Sequence, residues 1–144
     1  SKGLGCPVGA MLCGRKEFIA EARRVRKMLG GGMRQVGIIA AAGIYALQHN
    51  VERLAEDHEH ARLIAAALAG TSWASLDPKD VPTNIIYFDT PGRDAEAVVA
   101  ALGSAGIRCG ASGPHTIRFV THLDVSREDA RQVAAILGRL KLPA

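Results

Sequence analysis

The chain opens with Ser1-Lys2-Gly3-Leu4-Gly5-Cys6-Pro7-Val8-Gly9-Ala10, a glycine-rich stretch that presents one amine. Glycine adopts backbone conformations that other residues avoid, so a ligand or another segment can approach the chain closely. Proline fixes its own φ angle and pushes the preceding residue towards an extended form. We therefore predict a stiff, tightly turned loop around Lys2.

Such a loop suits a lysine that forms a Schiff base. Its amine must be held in place and deprotonated near neutral pH, which desolvation or a neighbouring cation can achieve. The alternative is a surface lysine in a frayed N-terminus, because the pattern of Lys2 between a serine and a glycine is short and common.

A second glycine-rich stretch is Gly30-Gly31-Gly32-Met33-Arg34-Gln35. It separates two predicted helices, residues 16–29 and 35–49. The glycines allow a sharp turn and leave Arg34 beside the start of the second helix, where free N–H groups and the helix dipole attract anions. The alternative is a helix cap with a surface arginine.

The first predicted helix carries a cationic stripe. Arg23, Arg26 and Lys27 are spaced three and four residues apart, which places them on one helix face. They form either a solvated face or a face that approaches an anionic cofactor or a neighbouring subunit. A nucleic-acid interface is disfavoured, because Phe18 is the only aromatic residue available for stacking in this helix.

The second predicted helix has almost no polar face. Residues 36–47 are apolar nearly throughout, and a helix that is apolar all round is buried all round. In a chain this small, we expect that helix to contact another domain or subunit.

The third informative stretch is a predicted strand, residues 116–121. Alternation places Ile117 and Phe119 on one face, towards the helices, and Arg118 on the opposite, uncovered face. An arginine in mid-strand costs free energy unless it meets an anion, and its guanidinium fork matches a carboxylate. The alternative is a salt bridge to a local acid such as Asp124.

The remaining pattern predicts an α+β domain with helices on one face of a sheet. We predict a buried strand at 10–13, a helix at 51–68 capped by Asn50, strands at 84–89 and 107–109, a helix at 94–102, and a last helix that Ser126 and Asp129 cap. In the helix at 51–68, His58 is placed on the apolar stripe and Asp57 towards water. We interpret His122 and Asp124 as residues that tie a turn together.

Three segments together closely resemble the low-specificity L-threonine aldolases, which are pyridoxal-phosphate enzymes of fold type I. They are Ser1-Lys2-Gly3-Leu4-Gly5-Cys6-Pro7-Val8-Gly9, Arg26-Lys27-Met28-Leu29-Gly30-Gly31-Gly32-Met33-Arg34-Gln35 and Arg118-Phe119-Val120-Thr121-His122-Leu123-Asp124-Val125. The resemblance implies an α/β fold of the fold type I PLP-dependent transferase kind. Residues 1–49 would be the C-terminal part of the cofactor-binding large domain, and residues 50–144 the small α+β C-terminal domain.

The same resemblance implies cleavage of L-threonine or L-allo-threonine to glycine and acetaldehyde with pyridoxal 5'-phosphate. Lys2 would be the catalytic lysine that carries the cofactor, Arg34 and Lys27 would bind the cofactor, and Arg118 would bind the substrate carboxylate. No metal ligand is expected. We expect these residues to be part of a longer protein and to lack a complete site by themselves. The intact protein is expected to be a homo-oligomer, a tetramer or dimer of dimers.

Two alternatives stay open. One is a different fold type I enzyme, such as an aminotransferase or a β-eliminating lyase. The other is a non-catalytic binding or assembly module that retains the small domain.

Composition limits the kind of core, ligand and compartment that can be expected for this chain. The chain has 144 residues with 48% hydrophobic and only 4% aromatic residues, so aliphatic side chains and alanine must fill its core. The formal charge of +4 is compatible with nucleic acid and also with an anionic ligand. Three cysteines without metal-ligand spacing favour a reducing, cytoplasmic compartment. No apolar run reaches the ~18 residues of a membrane span. The resemblance implies a small β-hydroxy amino acid as the partner, and neither nucleic acid nor a membrane is expected.

Overall fold

A computed structural model describes residues 3–142. The chain divides into two compact units between Val51 and Glu52. The N-terminal unit contains helices α1 (Lys16–Met28) and α2 (Gly37–His49). The C-terminal unit contains α3 (Leu54–Ala69), β1 (Ile85–Asp89), α4 (Ala95–Ser104), β2 (Gly110–Ala111), β3 (Thr116–Val120) and α5 (Arg127–Arg139). No helix within residues 3–142 has the length and apolar character needed to cross a membrane.

The two helices of the N-terminal unit lie close to their predicted positions. Helix α1 ends at Met28, and Gly30 follows in the left-handed region with φ 82°. Helix α2 begins at Gly37, two residues later than predicted, because Gln35 has φ 48° and cannot belong to a right-handed helix.

Helix α2 is mostly exposed within the described residues. Ala46 is its one buried side chain and Ile38 is 87% exposed, and its predicted contact with another domain or subunit stays a prediction. Residues 10–13, predicted as a buried strand, are exposed and form no strand. The regular elements described for this unit are both helices, so this apolar segment has no strand to pair with.

The C-terminal unit is built on a three-stranded antiparallel sheet of order β1-β3-β2. One face carries the buried side chains Ile86 and Phe88 of β1, and Ile117 and Phe119 of β3. They join buried residues of α3, α4 and α5 in one core cluster. The predicted inward direction of Ile117 and Phe119 is confirmed, and the opposite face of the sheet stays exposed.

Strand β2 lies later in the chain than predicted. Ile107 is buried in the core, and its N–H donates to the carbonyl of Leu102 at 2.9 Å, so it closes the end of α4 and does not pair in the sheet. The strand instead forms at Gly110 and Ala111. Between them, half-buried Cys109 has its thiol pKa raised to about 11 by desolvation, so the thiol stays protonated near neutral pH.

Helix α3 starts later and presents a different face than predicted. Asn50 does not cap it, because its side chain donates to the carbonyl of Leu4 at 2.8 Å. The buried positions of α3 are Asp57, His60, Ala61, Ile64, Ala65 and Leu68. Asp57, predicted to face water, is fully buried and receives two hydrogen bonds from Arg53, at 2.7 and 3.2 Å. Packing against α5 selects this face, and the paired guanidinium makes the buried carboxylate tolerable.

Buried hydrogen bonds at Thr121 connect the end of the sheet to α3. Its hydroxyl donates to the carbonyl of Asp57 at 2.6 Å, and its N–H donates to the carbonyl of Asn84 at 3.0 Å. The side-chain amide of Asn84 donates back to the Thr121 carbonyl at 2.7 Å. The end of β3 is therefore held to both α3 and the residue that precedes β1.

We predict that Thr121→Val lowers the free energy of unfolding by about 1–2 kcal/mol, because a buried hydrogen bond is lost at almost unchanged side-chain volume. Urea unfolding followed by circular dichroism measures the change. Thr83→Val, at an exposed position, is the control. An equal effect of both substitutions would contradict the assigned role of the Thr121 hydroxyl.

The predicted cap of the last helix is confirmed. Ser126 accepts from the N–H of Asp129 at 3.1 Å, and the Asp129 carboxylate accepts from the N–H of Ser126 at 2.9 Å. The Ser126 hydroxyl also donates to the Asp129 carboxylate at 2.6 Å, and this bond is the main reason that the pKa of Asp129 is lowered.

We predict that this cap is lost in acid. The pKa of Asp129 is lowered in the folded chain, so its contribution is complete above the unfolded carboxyl pKa of about 3.9 and disappears as the pH falls through the folded pKa. Unfolding measured from pH 6 to pH 2 should show a smaller acid loss of stability in Asp129→Asn. Identical pH profiles would exclude the contribution.

Candidate functional site

The predicted cofactor lysine, Lys2, lies outside the described residues. The loop that follows it is described, and it turns as predicted: Gly5 and Gly9 have φ angles of 73° and 135°. The loop is attached within its own unit, since the carbonyl of Leu4 accepts from Asn50 and the Cys6 sulfur lies 3.8 Å from the carbonyl oxygen of Ala42. This segment therefore contacts α2 at Ala42, and it also contacts Asn50, the residue that follows α2.

The glycines after α1 allow its last side chains to fold back over the chain. A Cβ atom at Gly32 would stand 2.6 Å from Cδ of Lys27, and one at Gly31 would stand 2.8 Å from Cγ of Arg26. The N–H of Gly31 donates to the carbonyl of Arg26 at 2.8 Å. Any larger residue at these two positions would displace the basic side chains that lie there.

Lys27 belongs to the last turn of α1, and Arg34 to the connection between α1 and α2. Both are exposed, and Arg34 directly precedes the left-handed Gln35. Among the described residues, no side chain caps the first turn of α2 at Val36. Cations and free helix N–H groups are the donor set that suits a phosphate. The cofactor-binding roles of Lys27 and Arg34 stay predictions.

The other cations of the α1 stripe line a cavity of about 370 Å³. Arg23 and Arg26 form part of its wall, together with Ala10, Met11, Leu12, Ile19 and Ala22. Arg26 thus belongs both to this cavity wall and to the glycine turn, whereas Lys27 lies over the glycine turn and is not part of the cavity wall.

Arg118 occupies the centre of the exposed sheet face. Its strand, β3, is the middle one, and Arg118 pairs in register with Tyr87 of β1 and Gly110 of β2. No carboxylate in residues 3–142 forms an ion pair with it. The alternative partner, Asp124, lies instead 3.7 Å from His122. The predicted exposure of Arg118 is confirmed, whereas its substrate-binding role stays a prediction.

The interpretation of His122 and Asp124 as turn residues agrees with the structure. The N–H of Asp124 donates to Nδ1 of His122 at 3.2 Å, and the N–H of Val125 donates to the carbonyl of His122 at 2.8 Å. Both side chains are exposed and bind within their own turn.

Sequence reasoning did not single out Tyr87 and Gly110, the two neighbours of Arg118. The pattern marked β1 as a strand but could not give its register, and it placed β2 too early in the chain. Cross-strand pairing is the signal that brings these residues together. Arg118 belongs to the C-terminal unit, and Lys27 and Arg34 belong to the N-terminal unit.

Comparison with known proteins gives consistent results. Over 135 residues the chain is 47% identical to the low specificity L-threonine aldolase of Escherichia coli strain K12, covering 94% of this chain and 39% of that protein. It is 38% identical over 143 residues to the probable low-specificity L-threonine aldolase 2 of Arabidopsis thaliana, covering 97% and 40%. It is 42% identical over 95 residues to the alanine racemase TOXG of Cochliobolus carbonum, covering 62% and 24%.

The chain thus spans about two fifths of the length of the two threonine aldolases. The family model described as beta-eliminating lyase matches residues 1–91, which is more than half of the chain. The chain therefore belongs to the beta-eliminating lyase family.

Proposed function

We propose that this chain forms part of a pyridoxal-phosphate-dependent aldehyde lyase that cleaves L-threonine or L-allo-threonine to glycine and acetaldehyde. The observation that carries the proposal is Arg118, an exposed cation at the centre of a sheet with no ion pair in the described part of the chain. The named activities of the Escherichia coli and Arabidopsis relatives support it.

Arg118 binds and orients the α-carboxylate of the amino acid in this proposal. Its guanidinium offers a planar fork of donors that a carboxylate accepts bidentately. Because Arg118 extends from a paired middle strand, the backbone beneath it is fixed on both sides. The backbone that carries the guanidinium is therefore rigid, which favours one orientation of the bound amino acid.

Lys27 and Arg34 bind the cofactor phosphate, supported by the donor set at the turn before α2. Lys2 would hold the cofactor through its amine. When bound, pyridoxal phosphate supplies a ring that accepts the electron pair released as the Cα–Cβ bond breaks. We further propose that the N-terminal unit belongs to the cofactor-binding large domain and the C-terminal unit is the small domain.

The exposed side chains of α2 support a homo-oligomer, proposed as a tetramer or dimer of dimers. Ile38 is 87%, Leu47 61% and Tyr45 60% exposed, and a stable helix surface of this kind needs apolar cover. The three free cysteines, Cys6, Cys13 and Cys109, support a cytoplasmic location.

We predict that the full-length protein, loaded with pyridoxal phosphate, releases acetaldehyde and glycine from L-threonine. After borohydride reduction, peptide mapping should find the pyridoxyl group on Lys2. Label on Lys16 or Lys27, or no label, would exclude Lys2 as the cofactor lysine. Racemised alanine without acetaldehyde would assign the chain to the chemistry named for the Cochliobolus relative.

We predict that Arg118→Lys retains bound cofactor but weakens amino-acid binding by about 1.5–3 kcal/mol, because a point charge replaces the bidentate fork. The KM for threonine and the cofactor absorbance of the full-length protein measure both effects. Arg127→Lys, at an exposed position on α5, is the matched control. Unchanged threonine kinetics in Arg118→Lys would show that Arg118 is not the carboxylate anchor.

We predict that Arg34→Gln raises the dissociation constant for pyridoxal phosphate about tenfold or more, since a charged hydrogen bond to phosphate is lost. Equilibrium dialysis of the full-length protein gives this constant. Arg24→Gln, exposed on α1 and off the stripe, serves as the comparison. Equal cofactor affinity in both variants would place the phosphate elsewhere.

A further inference from the structure

We propose that Tyr87 and Gly110 decide the side from which Arg118 receives its carboxylate. Tyr87 closes the β1 side of the guanidinium, and Gly110 leaves the β2 side open. The inference rests on the proposed function, because it takes the bound group to be the α-carboxylate of a small amino acid. It adds a positioning residue and a specificity-determining residue to that site.

The sheet register places the three residues in one row. Tyr87 is the direct partner of Arg118 on β1, and Gly110 is its direct partner on β2. Directly opposed residues of antiparallel strands extend to the same face, with Cβ atoms about 4.5–5.5 Å apart. Tyr87 is 54% exposed, so its side chain extends from the open face at the register position next to Arg118.

Neither packing nor backbone conformation requires a glycine at position 110. A Cβ atom there would meet no other atom within 4 Å, so packing leaves room for a side chain. Its φ angle is not in the left-handed region, where Gly92 and Gly106 lie. Glycine in a strand costs conformational entropy and marks close approach of another group. The missing side chain instead leaves space beside Arg118.

The acidic side chain two positions away on β1 does not fill that space. Asp89 pairs in register with Thr116, and its Oδ1 accepts from the Thr116 hydroxyl at 2.7 Å. Ile85 and Val120 also lie on this face, and both side chains are partly exposed. An external carboxylate can therefore reach Arg118 over Gly110, with the aromatic ring of Tyr87 limiting movement of the arginine on the other side.

Substitutions of Gly110 test the open side. Isothermal titration of the full-length, cofactor-loaded protein with glycine measures carboxylate binding without turnover. Gly110→Val should weaken glycine binding about tenfold or more, and Gly110→Ala less, because a growing side chain obstructs the charged contact. Cofactor content should not change. Gly103→Ala, on α4 and with equal room for a Cβ atom, should bind glycine as the unsubstituted protein does.

Substitutions of Tyr87 test the closed side. Tyr87→Ala should raise the KM for threonine severalfold while kcat changes less, and Tyr87→Phe should restore the unsubstituted KM, because the ring and not the hydroxyl positions Arg118. A Tyr87→Phe variant as impaired as Tyr87→Ala would overturn that role.

The outcomes separate the two levels of the proposal. If the unsubstituted protein binds glycine and cleaves threonine while Gly110→Val does both equally well, the inference fails and the proposed function stands. If the unsubstituted protein neither binds glycine nor cleaves threonine, both fail. A Gly110→Val protein that loses cofactor together with glycine binding also contradicts the inference, because the substitution then acts on the whole fold.

Discussion

Burial of one face of β3 is the constraint on which the candidate site depends. Ile117 and Phe119 are buried in the core, each stabilising it by about 1.5–3 kcal/mol. Because side chains alternate along a strand, that burial forces Arg118 onto the open face, and a slip of one residue would bury the arginine. The same hydrophobic contacts that hold the sheet therefore aim its central cation outwards.

Features encoded by short-range pattern could be predicted from the sequence. The alternation of β3, the glycine stop after α1 and the cap formed by Ser126 and Asp129 all depend on residues within a few positions of one another. The exposure of Arg118 follows from the first of these. The carboxylate-binding role of Arg118 was predicted from the resemblance of residues 118–125 to threonine aldolases. Periodicity alone predicts that the side chain is exposed, but not what it binds.

Features that depend on distant partners could not be predicted. Asp57 is buried because α5 covers that face of α3 and Arg53 pairs with the carboxylate. The segment 10–13 is apolar, but the described part of its unit contains no strand with which it could pair. Gly110 lies beside Arg118 because of the register between β2 and β3, and the sequence pattern of a strand does not reveal its register.

The central claim is that Arg118 is the charge that meets the substrate carboxylate. The most direct measurement is the nitrogen-15 NMR signal of the Arg118 guanidinium in the full-length, cofactor-loaded protein during titration with glycine. The account predicts that this signal shifts and saturates together with glycine binding, while the signal of exposed Arg127 stays fixed. Saturable glycine binding that leaves the Arg118 signal unchanged would contradict it.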